Sequence, residues 1–365
     1  MKEIRSILQQ YDKIKSTNKK MALATVVYVE GSSYRREGAR MLVVEDGTWI
    51  GGISGGCLEG DALRKAKNAI VKDQSSIVRY DTREEDAFQI GVGLGCNGII
   101  DVLITPLGNE TNNTINILKD CVNSRIANVL ITFIDPVDRN SIGDMILGKE
   151  NILQQHIGNQ HIIDLLGIEL DLIKEEQKSK IYRFEESGNF SKVFLEFLPP
   201  ETRLILFGGN YDIYPLVDIA NDIGWEATVV YNPQKVDKSL FDKAKVVSNK
   251  SKNLNFDRHT AAILMAHDYK TDMQNLQLLL DSDIGYIGML GPKVRSQKIF
   301  NELSSSNINI SKSDHLKIHA PIGLDTGATS PEEIAIAMVA EIRAFYSQRD
   351  GGFLRDRSET IHERP

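Results

Sequence analysis

Two glycine-rich segments built around cysteines and one arginine-rich turn carry the side chains best suited to chemistry. GGISGGCLEGD, residues 51 to 61, sets four glycines ahead of Cys57 and of the helical pattern that follows it. Glycines there let successive backbone N–H groups turn toward one point, and a helix amino end adds partial positive charge, so an anion can sit there. The same field favours the thiolate of Cys57, a soft nucleophile or metal ligand. This makes Gly55, Gly56, Cys57 and Glu59 candidate cofactor-binding residues; the alternative is a tight turn around a structural cysteine. GVGLGCNG, residues 91 to 98, repeats the combination with Gly95 and Cys96. Each glycine sacrifices packing and chain entropy, so two such loops in one domain weigh more than one. No CxxC is present, which argues against a structural zinc site. Between the N-terminus and the first loop lies GSSYRREGAR, residues 31 to 40, whose arginines have paired donors suited to phosphate or carboxylate. Arg40, at the start of a predicted strand, is the candidate taken from it.

The second half offers a strand-to-helix turn, LFGGNYD at residues 206 to 212, where a dinucleotide fold places its phosphate loop. Gly208 and Gly209 are the candidates. The fingerprint is broken by Asn210, and the next strand ends Val230-Tyr231-Asn232 without an acidic residue for a ribose, which argues against NAD(P). His267-Asp268, Gly288 to Gly291, and HAPIGLDTG at residues 319 to 327, with Asp325, fall at or beyond predicted carboxyl ends of strands, where ligands bind in open sheets. They read as shapers of a pocket.

The elements that must position these residues follow from pattern. MKEIRSILQQYDKIK places Ile4, Leu8, Tyr11 and Ile14 at helical spacing, an amphipathic helix and not a signal peptide. Strands are expected at Ala22 to Val29, Arg40 to Glu45 and Thr48 to Ile50, with an Asp46-Gly47 hairpin turn. A helix follows from about Cys57 to Lys72, with Leu58, Ala62, Ala66, Ala69 and Ile70 on one face. Further strands run Ser76 to Tyr80 and Ile99 to Ile104, and Pro106 closes the unit. Asn128 to Gly148 echoes Ala24 to Val44, ending Met-Ile-Leu against Met-Leu-Val, and so reads as a degenerate second copy. Pro199-Pro200 marks a boundary. Beyond it the runs Leu204 to Phe207, Ala227 to Tyr231, Ala261 to Ala266 and Tyr286 to Leu290 alternate with helical stretches, which implies a parallel sheet with crossover helices. Ser330, Pro331 and Glu333 form a capping box on the last helix.

At 365 residues the chain suits two domains, and 41% hydrophobic with 25% charged residues is ordinary globular composition. The net charge of −7 argues against a nucleic-acid binder. No apolar run approaches the roughly 20 residues of a membrane helix. Three cysteines, Cys57, Cys96 and Cys121, point to a reducing cytoplasm and are too few for iron-sulfur clusters, which need about four thiolates each.

Taken in order, ATVVYVEGSSYRREGARMLV, GGISGGCLEGD and GLGCNGIIDVLITPL, then LILFGGNYDIYPLV, AAILMAHDY, YIGMLG and IHAPIGLDTGATSPEEIA, resemble the XdhC/CoxI family, accessory factors for molybdenum hydroxylases such as xanthine dehydrogenase. The resemblance implies an α/β protein with a mixed N-terminal XdhC/CoxI domain and a C-terminal Rossmann-like parallel-sheet domain. The expected division is 1–107, an intervening segment 108–200 packed on it, 201–350, and a loose tail 351–365. It implies a chaperone more than an enzyme. Such a factor binds molybdenum cofactor (molybdopterin) transiently, guards it while a cysteine desulfurase supplies sulfur, and delivers it to an apo-hydroxylase, often as a homodimer. Cys57 then becomes a molybdenum or sulfur contact, with the site in the first domain and at the domain junction. The alternative is an NAD(P)-dependent oxidoreductase using the second domain. By the same resemblance, the chain is too short and too poor in cysteine to be a xanthine dehydrogenase itself. The family pattern is broken at Asn210 and Tyr211, usually glycine and histidine, at Tyr231 or Asn232, usually aspartate, and at Pro292-Lys293.

Overall fold

The computed structural model describes residues 1–81, 83, 98–108, 114–135, 142–186, 189–248 and 254–358. Two units emerge, Met1–Pro200 and Glu201–Pro365. The first opens with α1 (Lys2–Lys15), which buries Ile4, Ile7 and Leu8. Among the described residues β1 (Met21–Gly31), β2 (Arg40–Val44), β3 (Trp49–Gly51), β4 (Ser76–Asp81) and β5 (Gly98–Leu107) form an antiparallel sheet in the order β3-β2-β1-β5-β4, with α2 (Glu59–Lys72) inserted before β4. Alternation along β1 sends Ala22, Ala24 and Val26 against the Ala62, Ala66 and Ala69 stripe of α2, while Met21 and Leu23 face the opposite way toward α1. Gly47, at φ +99°, makes the β2–β3 turn.

Pro106 does not end the unit, because β5 continues through it to Leu107. The β4 pairing stops at Ile104, so the missing N–H of Pro106 breaks no β4–β5 bond.

The segment that follows belongs to the same unit. It contains α3 (Thr114–Asn123), β6 (Asn128–Asp135), β7 (Met145–Leu147), α4 (Glu150–His156), α5 (Gln160–Glu176), β8 (Lys180–Glu186) and β9 (Asn189–Leu198). Its sheet runs β7-β6-β9-β8, the same order as β2-β1-β5-β4, with α5 in the place of α2. Both central strands carry a bulge, at Val26/Tyr28 and at Phe133/Asp135. The bulged residues Val27 and Ile134 pack together with Leu103 and Phe194 in one core cluster. Gly38 N–H donates to the Val26 carbonyl and Gly143 N–H to that of Phe133, both at 2.8 Å. The pairing departs from the echo seen in sequence by one residue on β7, where Met145 matches Arg40 and not Met41, and by three on β6, where Thr132 matches Thr25 and not Tyr28, since Thr25 pairs with Arg40 and Thr132 with Met145.

The second unit is built from β10 (Arg203–Phe207), α6 (Ile213–Ile223), β11 (Glu226–Val230), β12 (Lys245–Val247), β13 (Thr260–Leu264), α7 (Tyr269–Leu280), β14 (Tyr286–Met289), α8 (Lys293–Ser305), α9 (Lys312–Lys317), β15 (Ile318–His319) and α10 (Pro331–Tyr346). All strand pairs are parallel, in the order β12-β11-β10-β13-β14-β15. That is the doubly wound arrangement with its switch point between β10 and β13. Helices α6 and α10 cover one face and α7 and α8 the other. The α10 capping box is present as Ser330 and Glu333, with Pro331 at the first position. Among the described residues no helix is long and apolar enough to cross a membrane.

Candidate functional site

The Cys57 turn is an internally satisfied loop with one thiol at its surface. The Glu59 carboxylate accepts from the Ile53 amide at 3.1 Å, the Ser54 amide at 2.8 Å and the Ser54 hydroxyl at 2.5 Å. Ser54 Oγ in turn accepts from the Gly56 and Leu58 amides, both at 3.1 Å. The amide cluster that could have held an external anion is therefore filled by the protein's own carboxylate. Burial alone would push the Glu59 carboxyl up, but hydrogen bonds from Ser54 and the Ile53 amide outweigh it and hold it below its ordinary value. Gly51 and Gly56 take φ of +84° and +115°. Helix α2 starts at Glu59 with Leu58 as its cap, so Cys57 precedes it, half-buried, its Sγ 3.5 Å from Ser54 Oγ.

The loop after β1 meets Gly55 of the first glycine motif and Gly98, the last residue of the second. A Cβ on Gly55 would touch the Tyr34 ring at 3.4 Å, and one on Gly98 would lie 2.8 Å from the Ser32 carbonyl oxygen. Tyr34 is 72% exposed, over the Cys57 turn. Beside it the Ser33 hydroxyl and Arg36 Nε are buried without hydrogen-bond partners. Buried polar groups are nearly always paired, so these two atoms are the loop's candidate contacts for a ligand. Arg35, by contrast, is paired with Glu3. Gly95 and Cys96 lie outside the described residues.

Arg40 sits elsewhere. It is fully buried, and its guanidinium grips Glu196 of β9 with NH1–Oε1 at 2.8 Å and NH2–Oε2 at 2.5 Å. It thus joins the two sheets of the first unit. Among the described residues no group of three or more His, Cys, Asp or Glu is placed to hold a metal ion.

In the second unit, a Cβ on Gly208 would lie 2.4 Å from the Met265 carbonyl oxygen, and one on Gly209 would lie 2.1 Å from the Tyr231 ring. His267 does not pair with its neighbour Asp268, which instead caps α7 through Thr271. Its Nε2 lies 2.6 Å from Asp212 Oδ2. Asp325 is exposed on the loop before α10. His319 Nδ1 lies 2.5 Å from Glu341 Oε1, and its ring stacks on Tyr286 at 4.2 Å. Glu341 also accepts the Gly323 amide, which ties down the HAPIGLD loop.

A sequence profile of the XdhC and CoxI family matches residues 15–81, and one of the XdhC Rossmann domain matches residues 204–342. A protein of Bacillus subtilis (strain 168), named as a probable xanthine dehydrogenase subunit, is 31% identical over 337 residues, 91% of this chain and 94% of its own. The chain belongs to the XdhC and CoxI family. The molybdenum cofactor insertion chaperone PaoD of Escherichia coli (strain K12) is 22% identical over 93% of this chain and 87% of its own. The crystal structure of a xanthine dehydrogenase from Bacillus halodurans superposes with a TM-score of 0.72 at 28% identity, covering 98% of both chains.

One of the places where this member of the XdhC and CoxI family leaves the expected pattern has a physical reading. Tyr231 lays its ring against Gly209, on the strand-to-helix turn where a Rossmann domain keeps its backbone open to a ligand. Three features escaped sequence reading. The unpaired atoms of Ser33 and Arg36 have no signature in sequence, and the Asp212–His267 pair spans 55 residues. Glu196, the partner of Arg40, lies 156 residues away.

Proposed function

We propose that this protein is an accessory factor that takes up molybdenum cofactor on the first unit and delivers it to an apo molybdenum hydroxylase of the xanthine dehydrogenase type. The observation that supports this most is the orphaned pair, Ser33 Oγ and Arg36 Nε, on a loop that meets Gly55 and Gly98 and whose Tyr34 lies over the turn bearing the half-exposed Cys57. A hydroxyl and a guanidinium donor suit the oxygen-rich pterin and its phosphate. A thiol suits a soft metal–sulfur centre, and an exposed aromatic ring can cover a planar one. Gly55 and Gly56 allow Tyr34 and the thiol to come close together, and Glu59 holds the turn in shape. The names of the Bacillus subtilis and Escherichia coli relatives support the same class of work.

In this reading Cys57 contacts the metal or its sulfur ligand while a cysteine desulfurase supplies sulfur, and the protein works in the cytoplasm as a homodimer. Use of the second unit as an NAD(P) oxidoreductase is disfavoured, because Tyr231 closes on Gly209. The test is anaerobic reconstitution of an apo-hydroxylase. Cofactor presented by the wild-type protein should activate it several-fold faster than the same cofactor free in solution, and Cys57→Ala or Arg36→Ala should remove that advantage. Equal activation with and without the protein would overturn the proposal.

A further inference from the structure

At the carboxyl end of the parallel sheet in the second unit lies a cavity of about 290 Å³, walled by Leu216, Met265, Leu290 and Met338 and bordered by Asp212 and His267. Its size is at the lower edge of ligand cavities, about 300 Å³, so it suits one compact ring system and not a dinucleotide. Two methionine thioethers favour an aromatic occupant.

Asp212 precedes α6 with helical backbone angles, φ −73° and ψ −11°, and its side chain does not cap the helix. Its Oδ2 is 2.6 Å from His267, and its Oδ1 is buried without a partner. A buried carboxylate oxygen without a donor is costly, and an unpaired buried group in a folded protein calls for a reason. His267 itself holds a left-handed φ of +56°, a conformation that non-glycine residues keep only where the surroundings enforce it. Those surroundings are visible on either side. The Ala266 amide donates to Asp272 Oδ1 at 3.1 Å, Asp272 Oδ2 holds Arg295 at 2.5 Å, and Asp268 caps α7.

We infer that this cavity is a small-molecule site for a single planar heterocycle bearing an N–H donor, which Asp212 Oδ1 accepts while Asp212 fixes the His267 ring at the rim. The occupant is a nucleobase-sized compound, and the inference stands independently of cofactor delivery by the first unit.

Calorimetric titration of the full-length protein tests it with adenine, isocytosine and nicotinamide, each beside a counterpart methylated at every N–H so that no donor is left, and with NAD. At least one donor-bearing heterocycle should bind saturably. Its methylated counterpart, and Asp212→Ala, should each weaken binding by about tenfold or more, the scale of one buried polar partner lost. Ala335→Phe, which fills the cavity, should abolish binding, with circular dichroism confirming that the variant is folded. The inference is overturned if none of the three heterocycles binds, if binding survives Ala335→Phe, or if NAD binds more tightly than its component rings.

Discussion

Cys57 and Cys121 are chemically the same group in opposite surroundings. Cys121 is 2% exposed, and burial pushes its thiol up to about 11. Native protein treated with iodoacetamide near pH 8 should therefore be alkylated at Cys57 and only after unfolding at Cys121, as read by peptide mass mapping. At Glu59 the expectation concerns stability. Glu59→Ala strands two amides and a hydroxyl and should cost on the order of 3 kcal/mol by urea denaturation near pH 7. The folded pKa of Glu59 is depressed, so its contribution is present above the unfolded value of about 4.3 and is lost as pH falls through the folded one. The gap between wild type and variant should narrow as pH falls below about 4.3. An unchanged gap would mean that the ionised form carries no special weight. The Cys57 turn was legible in sequence because glycines before a helix have a local meaning. Asp212, Ser33 and Arg36 were not, because their significance is an unpaired atom that only a folded surface creates.

The paired halves of the first unit explain why Arg40 is where it is. Met145 occupies its position in the second half, and Thr105 of the first half occupies that of Glu196, so the ion pair, with one partner from each half, is matched by an apolar residue and a hydroxyl, again one from each half. Gly38 packs on Glu196 as Gly143 packs on Thr105. Breaking a buried pair leaves a lone charge and costs about 3–5 kcal/mol, whereas replacing both partners can be neutral. Arg40→Met and Glu196→Thr should each destabilise strongly, and the double variant should recover at least half of the loss in urea denaturation. Simple additivity would contradict this coupling. Elements with strong periodicity, such as the α2 stripe and the α10 capping box, were readable from sequence. The edge strands β12 and β15, three and two residues long, were not, because so short a run has no period. The sequence echo and the ladders do not align, because the Met-Ile-Leu and Met-Leu-Val runs match best by letter while hydrogen bonding sets the pairing, one residue away on β7 and three on β6.

Each unit buries its own core, and the second holds Trp225 within it. Residues 201–358 produced alone should unfold in one cooperative thermal transition and keep a near-ultraviolet signal from Trp225; a broad transition without that signal would show that the unit depends on the rest of the chain. The fold class was legible because strand–helix alternation and ordered motifs act over the whole length. The loop after β1 that reaches Gly55 and Gly98 was not legible, since it is defined by contacts between segments far apart in sequence. The most direct measurement is retention of molybdenum cofactor by the purified full-length protein on an anaerobic sizing column, with molybdenum and pterin quantified in the protein peak. Wild-type protein should retain cofactor near stoichiometry and Cys57→Ala about tenfold less. Equal retention by the two would contradict the assignment of the Cys57 turn as the place where the cofactor is held.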